Sequence, residues 1–385
     1  MKKKLAAIII FISVLVVPMV FWPLFDYVDK TEIEENRELA AYPDKFDNQY
    51  FVNFDKYFLD HLPLRKPAIK AYTTVEKAFT QAYDKLLGDL GLEHFAVQNN
   101  VVFGKDDWLF YTGDNSLDYY RGTNLPTADE MQAYAARAAA VNDYFKSLGK
   151  TFVIMIIPNK EQMYAEYMPD GIKVHSQKKR MDVIYDYFTE KNDVTLVYPK
   201  RELMDGKADY QVYYKQDTHW NNVGAYIGAM ALLDALNFGK GDVAISPSQR
   251  DSADLANMIA QEPITDVDYK CDYRAEITLK VTVEENGDTR RCVSNSLNGK
   301  KAVLLGDSFR TAMIDSLGKE FGESVFSHRR QFTAENNYFR AEIAEADVVV
   351  FQAVERYEYQ IFADGGLLDV FINEFISQGN KTVTE

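Results

Sequence analysis

Apolar positions along the chain fall into three textures. Residues 5–25, LAAIIIFISVLVVPMVFWPLF, form an unbroken uncharged run long enough to span a bilayer. Lys2, Lys3 and Lys4 precede it, and this placement predicts a cytoplasmic N-terminus with everything after Asp26 outside. Trp22 stands where an interfacial anchor would. Pro18 and Pro23 weaken the helix, so a cleavable signal peptide stays open as the other reading. The end of the run, PMVFWPLFDYVDK, nevertheless lacks a small-x-small cleavage site. The adopted expectation is a single-pass signal anchor over residues 1–25, which holds the rest of the chain at the outer face of the cell membrane.

Residues 26–95 are charged and aromatic, and they read as a juxtamembrane helical or linker segment. From residue 96 to 385 the pattern alternates. VVFGKDDWLFYTGD predicts two short strands around a turn at 104–107. TADEMQAYAARAAAVNDYFKSLG carries a capping box, Thr127 with Glu130, and ends at Gly149, so it predicts a helix. TFVIMIIP is continuously apolar, as a parallel strand covered on both faces must be. A helix near 176–191, the strand VTLVY and a helix over 222–237 follow. After a polar insert at about 240–298, KAVLLGDSFRTAMIDSLG reads strand, tight turn, helix. SVFS and ADVVVFQ are further strands, and GLLDVFINEFISQG is a terminal helix. Strands alternating with helices predict an α/β fold with a mainly parallel sheet flanked by helices and a small β-rich insert.

Composition narrows the function classes. With 47% hydrophobic residues, 25 Tyr and 24 Phe, the chain has ample material for a core, which excludes general disorder. A net charge of −15, spread along the chain, disfavours nucleic acid as a partner. Only two cysteines occur, Cys271 and Cys292, and outside the cytoplasm such a pair can be a disulfide. A hairpin about Asn286-Gly287 would place Cys271 opposite Ala302 rather than Cys292, so the hairpin itself leaves the pairing open.

The chemistry concentrates in two stretches. In YKQDTHWNNVGAY, Asp217 and His219 stand two apart just before a helix. They read either as a loop pair, with Asn221 or Asn222 capping the helix, or as a general base with its orienting acid. In VLLGDSFR, Gly306 permits a sharp turn and Ser308 opens the next helix at a strand end, where α/β folds place ligands. Asp307 or Ser308 could equally serve as a cap. Taken together, Asp217, His219 and Ser308 supply acid, base and nucleophile.

GDSF together with DTHW resembles the SGNH-hydrolase-like domain of polysaccharide O-acetyltransferases, the alginate O-acetylation proteins and the DHHW family. EENRELAAYP, FLDHLPLR, VVFGKDDWLFY, IIPNKEQMYAEYMP and VERY resemble further blocks of that family. The likeness runs from about residue 34 to about 360, with a gap over the insert. It implies that Ser308 is the nucleophile, His219 the general base and Asp217 the orienting acid. The order Asp-His-Ser reverses that of ordinary SGNH hydrolases and matches the acetyltransferase branch; Thr218 replaces the first histidine of the DHHW tetrad. The function implied is an extracytoplasmic O-acetyltransferase acting through an acyl-serine on a cell-surface or secreted polysaccharide, with no cofactor. A multi-pass membrane-bound O-acyltransferase is implied as its acetyl donor. Two rivals stand beside it: an acetylesterase with the same triad, and a non-catalytic glycan-binding or assembly protein.

Other residues carry double readings. Asn159 is an oxyanion donor, as asparagine is in SGNH enzymes, or a turn residue. Lys160 beside it would hold substrate. Arg310 would steady an anion or the oxyanion, or lie exposed on its helix. Tyr164 and Trp108 would stack on sugar rings or fill the core. Arg356 has a structural salt bridge as its alternative to a site role. His61, His94, His175 and His328 show no metal-ligand spacing, and no metal is expected.

Overall fold

The strand Thr151–Ile157 is apolar at every position after the first because both of its faces are covered. Phe152, Ile154 and Ile156 enter one core layer, and Val153, Met155 and Ile157 enter the other. In the computed structural model, residues 40–46, 49–61, single positions between 75 and 90, and 93–377 are described, apart from 192, 252, 260, 297 and 333–336. The signal-anchor expectation for residues 1–25 lies outside the described residues. Among the described residues, no helix is long and apolar enough to cross a membrane. The helix Tyr50–Asp60 buries none of its side chains.

Twelve strands are described in chain order. β1 (Val97–Gln98), β2 (Val101–Phe103) and β3 (Leu109–Tyr111) make a small antiparallel sheet. β4 (Thr151–Ile157) and β5 (Thr195–Val197) join β10 (Lys301–Gly306), β11 (Glu323–His328) and β12 (Val348–Val354) in the main sheet. β6 (Val243–Arg250) and β7 (Asp266–Tyr273) form a separate antiparallel pair. β8 (Leu279–Val283) and β9 (Arg290–Ser294) extend the main sheet, whose order is β5-β4-β12-β10-β11-β9-β8. Its first five strands run parallel, β9 pairs antiparallel with β11, and β8 pairs antiparallel with β9. The fold is thus mixed α/β around one large sheet, and half of the insert belongs to that sheet.

The predicted elements appear with small shifts. Ala128–Ser147 is a helix with both halves of the Thr127–Glu130 capping box in place. The next helix begins later than the pattern suggested, at Arg180–Lys191, and Asn222–Ala235 matches closely. The terminal helix continues past Leu367–Phe371 as a π-turn. The β8–β9 hairpin turns at Gly287, with φ 72°, and pairs Val281 with Cys292. Cys271 lies on β7 opposite Ile245, and both cysteines are free thiols, so the disulfide is not formed. A third apolar cluster, Val101, Phe103 and Leu109 against Leu255, Ala256 and Ile259, seats the insert's short helix Asp254–Met258 on the small sheet.

Candidate active site

β10 ends at Gly306, where a side chain would run into Gln352 Oε1 at 2.1 Å, so only glycine lets the strand pass β12 that closely. The turn that follows is fixed by Asp307 rather than by a helix cap. Its carboxylate accepts the Phe309 N–H at 3.0 Å, the Gln352 amide at 2.9 Å and the Val354 N–H at 2.6 Å. Ser308 caps nothing and stands exposed. Its Oγ lies 2.7 Å from His219 Nε2.

The other side of this contact is the loop before the helix Asn222–Ala235. Asn221 caps that helix by accepting the Gly224 N–H at 3.0 Å, which frees Asp217 from any such duty. Asp217 Oδ1 lies 2.7 Å from His219 Nδ1 and also accepts the His219 N–H at 2.9 Å. Trp220 is buried and donates its indole N–H to Phe309 O at 3.1 Å, which ties the histidine loop to the serine turn. Gly228 gives that indole its seat, since a Cβ there would meet the ring at 2.5 Å. The His219 ring packs on Phe309 with centroids 4.7 Å apart. Burial works against a charge on His219, but the Asp217 hydrogen bond and the Asp217 and Asp254 carboxylates outweigh it and raise the imidazole above its usual range.

Backbone N–H groups of Leu109, Leu255 and Ala256 donate to this loop, and charged side chains hold it from both sides. Lys160 is buried, and its ammonium donates to the carbonyls of Tyr214 at 3.2 Å, Lys215 at 3.0 Å and Asp217 at 2.7 Å. All three protons are used, so Lys160 tethers the loop and does not reach out to substrate. Burial pushes it down to about 8, against the pull of the nearby carboxylates. From the opposite side, three aspartates of the insert accept the loop's N–H groups. Asp266 takes that of Lys215, Asp254 that of Thr218 at 2.7 Å, and Asp268 that of Asn222 at 3.1 Å. Sequence reading missed all three. On β7 the two acids point inward and Val267 is 40% exposed, the reverse of the usual strand pattern, and Asp254 stands 37 residues from Asp217 in no motif.

The remaining candidates separate clearly. Asn159 is fully buried. Its Oδ1 accepts from the Arg356 N–H and guanidinium, both at 3.3 Å, while its Nδ2 has no protein partner among the described residues. Arg356 lies over the Phe309 ring at 5.7 Å, and its guanidinium donates to Asn159 Oδ1. Arg310 is neither exposed nor free for an anion: it is buried and donates to Asp307 O and to Asp288. Tyr164 stacks on Trp108 with centroids 4.1 Å apart, both are buried, and the Tyr164 hydroxyl accepts the Val212 N–H, so these two are core residues.

A family model described as "SGNH hydrolase-like domain, acetyltransferase AlgX" matches residues 101–330. A Pseudomonas putida protein named probable alginate O-acetylase AlgJ is 29% identical over 142 residues, which is 36% of this chain and 34% of that protein. This chain's match therefore spans about a third of the length of that curated relative. Among solved structures, a DHHW family protein from Eubacterium siraeum has the same fold, with a TM-score of 0.50 at 15% identity over 69% of this chain and 93% of that one. PatB1 of Bacillus cereus aligns with a TM-score of 0.48 at 15% identity, over 66% and 95% of the two chains. The family model covers more than half of the sequence and encloses Asp217, His219 and Ser308, and the chain belongs to the family of SGNH hydrolase-like domains of the acetyltransferase AlgX type.

Proposed function

We propose that the chain is a polysaccharide O-acetyltransferase that works outside the cell through an acetyl-Ser308 intermediate. The observation that carries the reading is the unbroken relay Asp217–His219–Ser308, with 2.7 Å at each step. His219 Nε2 takes the Ser308 proton as Oγ attacks the acetyl carbonyl. The imidazolium so formed returns that proton to the leaving group of the donor, and acetyl-Ser308 remains. An acceptor sugar hydroxyl then gives its proton to His219 and attacks the acetyl carbon. The proton passes back to Ser308 as the new ester departs. Asn159 Nδ2, without a partner among the described residues and backed by Arg356, is the side-chain donor proposed for the oxyanion.

Family membership supports acetyl transfer, and the lysines before residues 5–25 support an anchored, outward-facing domain, proposed as residues 96–385 with 26–95 as its connection to the membrane. Acetyl-CoA is absent outside the cell, so the donor is proposed to be a multi-pass membrane-bound O-acyltransferase. The test is intact-mass spectrometry of the full chain in detergent after exposure to an activated acetyl ester. One added acetyl group on the wild type and none on Ser308→Ala supports the nucleophile. Discharge by added oligosaccharide supports transfer, and discharge by water alone supports an esterase. A folded wild type that takes no acetyl group and turns over no ester sinks the catalytic reading and favours a glycan-binding protein.

A further inference from the structure

We propose that Asp254, carried by the insert, is a second acid of the site: a positioning residue that acts on His219 through Thr218 and makes the insert part of the catalytic unit. This rests on the relay reading above, yet its own evidence is separate. Of the three insert aspartates that hold the loop, only Asp254 reaches the side chains of the relay. Its Oδ2 lies 3.6 Å from His219 Nδ1 and accepts the Thr218 hydroxyl at 2.6 Å. Its own N–H donates to Asp217 Oδ2 at 3.4 Å. Thr218 Oγ1 in turn stands 3.3 Å from His219 Nδ1.

The proton count fixes the direction of this linkage. A threonine hydroxyl has one proton, and an ionised carboxylate can only accept it. With that proton donated toward Asp254, the Thr218 oxygen presents its lone pairs to the imidazole. His219 Nδ1–H then has Asp217 as its main acceptor and Thr218 as a second, a pair that favours the tautomer with Nε2 open toward Ser308. The histidine that the DHHW tetrad would place at 218 could not bridge in this way without adding a titrating group.

Charge gives the second consequence. The groups facing His219 are Asp217 from its own loop, Asp254 from the insert and the Arg356 guanidinium from beyond β12, with the Lys160 ammonium behind the two carboxylates. Two acids therefore share the stabilisation of the imidazolium that forms when Ser308 gives up its proton. Geometry makes Asp254 available for this because Leu255, Ala256 and Ile259 lock its helix onto the small sheet.

The test uses the full chain in detergent with labelled histidine, and follows the His219 titration by NMR, with His219→Gln as the assignment control among five histidines. Asp254→Asn removes one charge about 4 Å away, and the His219 midpoint is expected to fall by about half to one pH unit. The acidic limb of acetyl-ester turnover should move down by the same amount, and the plateau rate should fall about tenfold with KM little changed. Thr218→Val keeps the N–H bond to Asp254 but removes the bridge, and should lower the plateau in the same way; Thr218→Ser should restore it. Thr218→Val also keeps the question open to experiment if Asp254→Asn does not fold. A midpoint and acidic limb unmoved by Asp254→Asn, with the rate retained in Thr218→Val, would overturn the proposal. A midpoint that moves in a protein whose Ser308 takes no acetyl group would uphold the linkage and sink the acyl-serine reading. Acetylated Ser308 with an unmoved midpoint would do the reverse.

Discussion

Ser308 and His219 meet at 2.7 Å but are held in place by opposite means. On the serine side, β10 is bonded to parallel neighbours on both edges, and Val303, Leu304 and Leu305 are buried in the two core layers. The strand's position follows from many small contributions, and one buried carboxylate, Asp307, then fixes the turn that carries Ser308. On the histidine side, the loop has one β-bridge, Tyr213 to Trp220, and a few backbone bonds from Leu109, Leu255 and Ala256, and charged side chains hold the rest. Lys160 answers its carbonyls, and Asp254, Asp266 and Asp268 answer its N–H groups. Such a network is satisfied only as a whole, so losing one member strands a buried group. The comparison teaches that the nucleophile is placed by a ladder and the base by a clamp.

The largest effect should come from Ser308→Ala. Because Ser308 is exposed and supports no other element, its loss should lower acetyl-ester turnover by at least about 10³-fold and shift the thermal midpoint by no more than about 2 °C. A midpoint that dropped by many degrees would break the idea that the ladder and Asp307 set the turn without the serine side chain.

The serine side has one strained point of its own. Glu355 follows β12, is fully buried, and accepts the Asn159 N–H at 2.9 Å. Burial pushes it up to about 7. The folded protein therefore keeps a proton that the unfolded chain releases near pH 4.5, and stability present below that pH is lost as pH rises through 7. Glu355→Gln removes this dependence. From pH 4.5 to pH 8, denaturant midpoints of variant and wild type should swing in the variant's favour by roughly 3 kcal/mol. A constant gap would show that Glu355 titrates normally.

The clamp is tested by Lys160→Met, which keeps the stem over Trp108 and Phe110 but removes all three donors. Stranded carbonyls cost about 1–3 kcal/mol each, and relief from burying an ammonium offsets much of that. The net expectation is a stability loss of about 2 kcal/mol by chemical denaturation. Ester turnover should fall by about tenfold as the loop loosens. Unchanged turnover would mean that the insert aspartates alone position His219.

What the sequence made legible follows the same division. The ladder side announces itself through periodicity: TFVIMIIP, VLLG and VVVFQ are readable as two-faced strands, and the glycine before Asp307 marks the turn. The Asp-x-His pair was visible because the two groups are close in sequence. The clamp was hidden because its members come from distant segments and break local rules. Lys160 after a strand end looked like a ligand-holding cation, yet its partners are carbonyls 54 to 57 residues away. Arg310, two residues beyond the nucleophile, read as a holder of an anion or as an exposed helix arginine, and it is neither because the β8–β9 hairpin brings Asp288 over it. On β7, acids facing inward defeat any reading by hydrophobic alternation. Pairing among distant charges leaves no periodic trace.

The smallest expected effect concerns the cysteines, and it sharpens the contrast by asking whether a covalent staple helps the insert. Cys271 and Cys292 are free, and burial pushes their thiols up to about 12 and about 11. At pH 8 both should remain protonated, so iodoacetamide should modify neither at an appreciable rate until the protein unfolds. A disulfide closing a loop of this length would contribute about 3 kcal/mol, and its reduction would lower the thermal midpoint by several degrees. Here reductant should shift the midpoint by less than about 1 °C, measured by scanning calorimetry. The insert would then be held to the body by its β9 pairing with β11, its apolar seat and its aspartates, and the geometry of His219 would depend on pH and charge rather than on redox state.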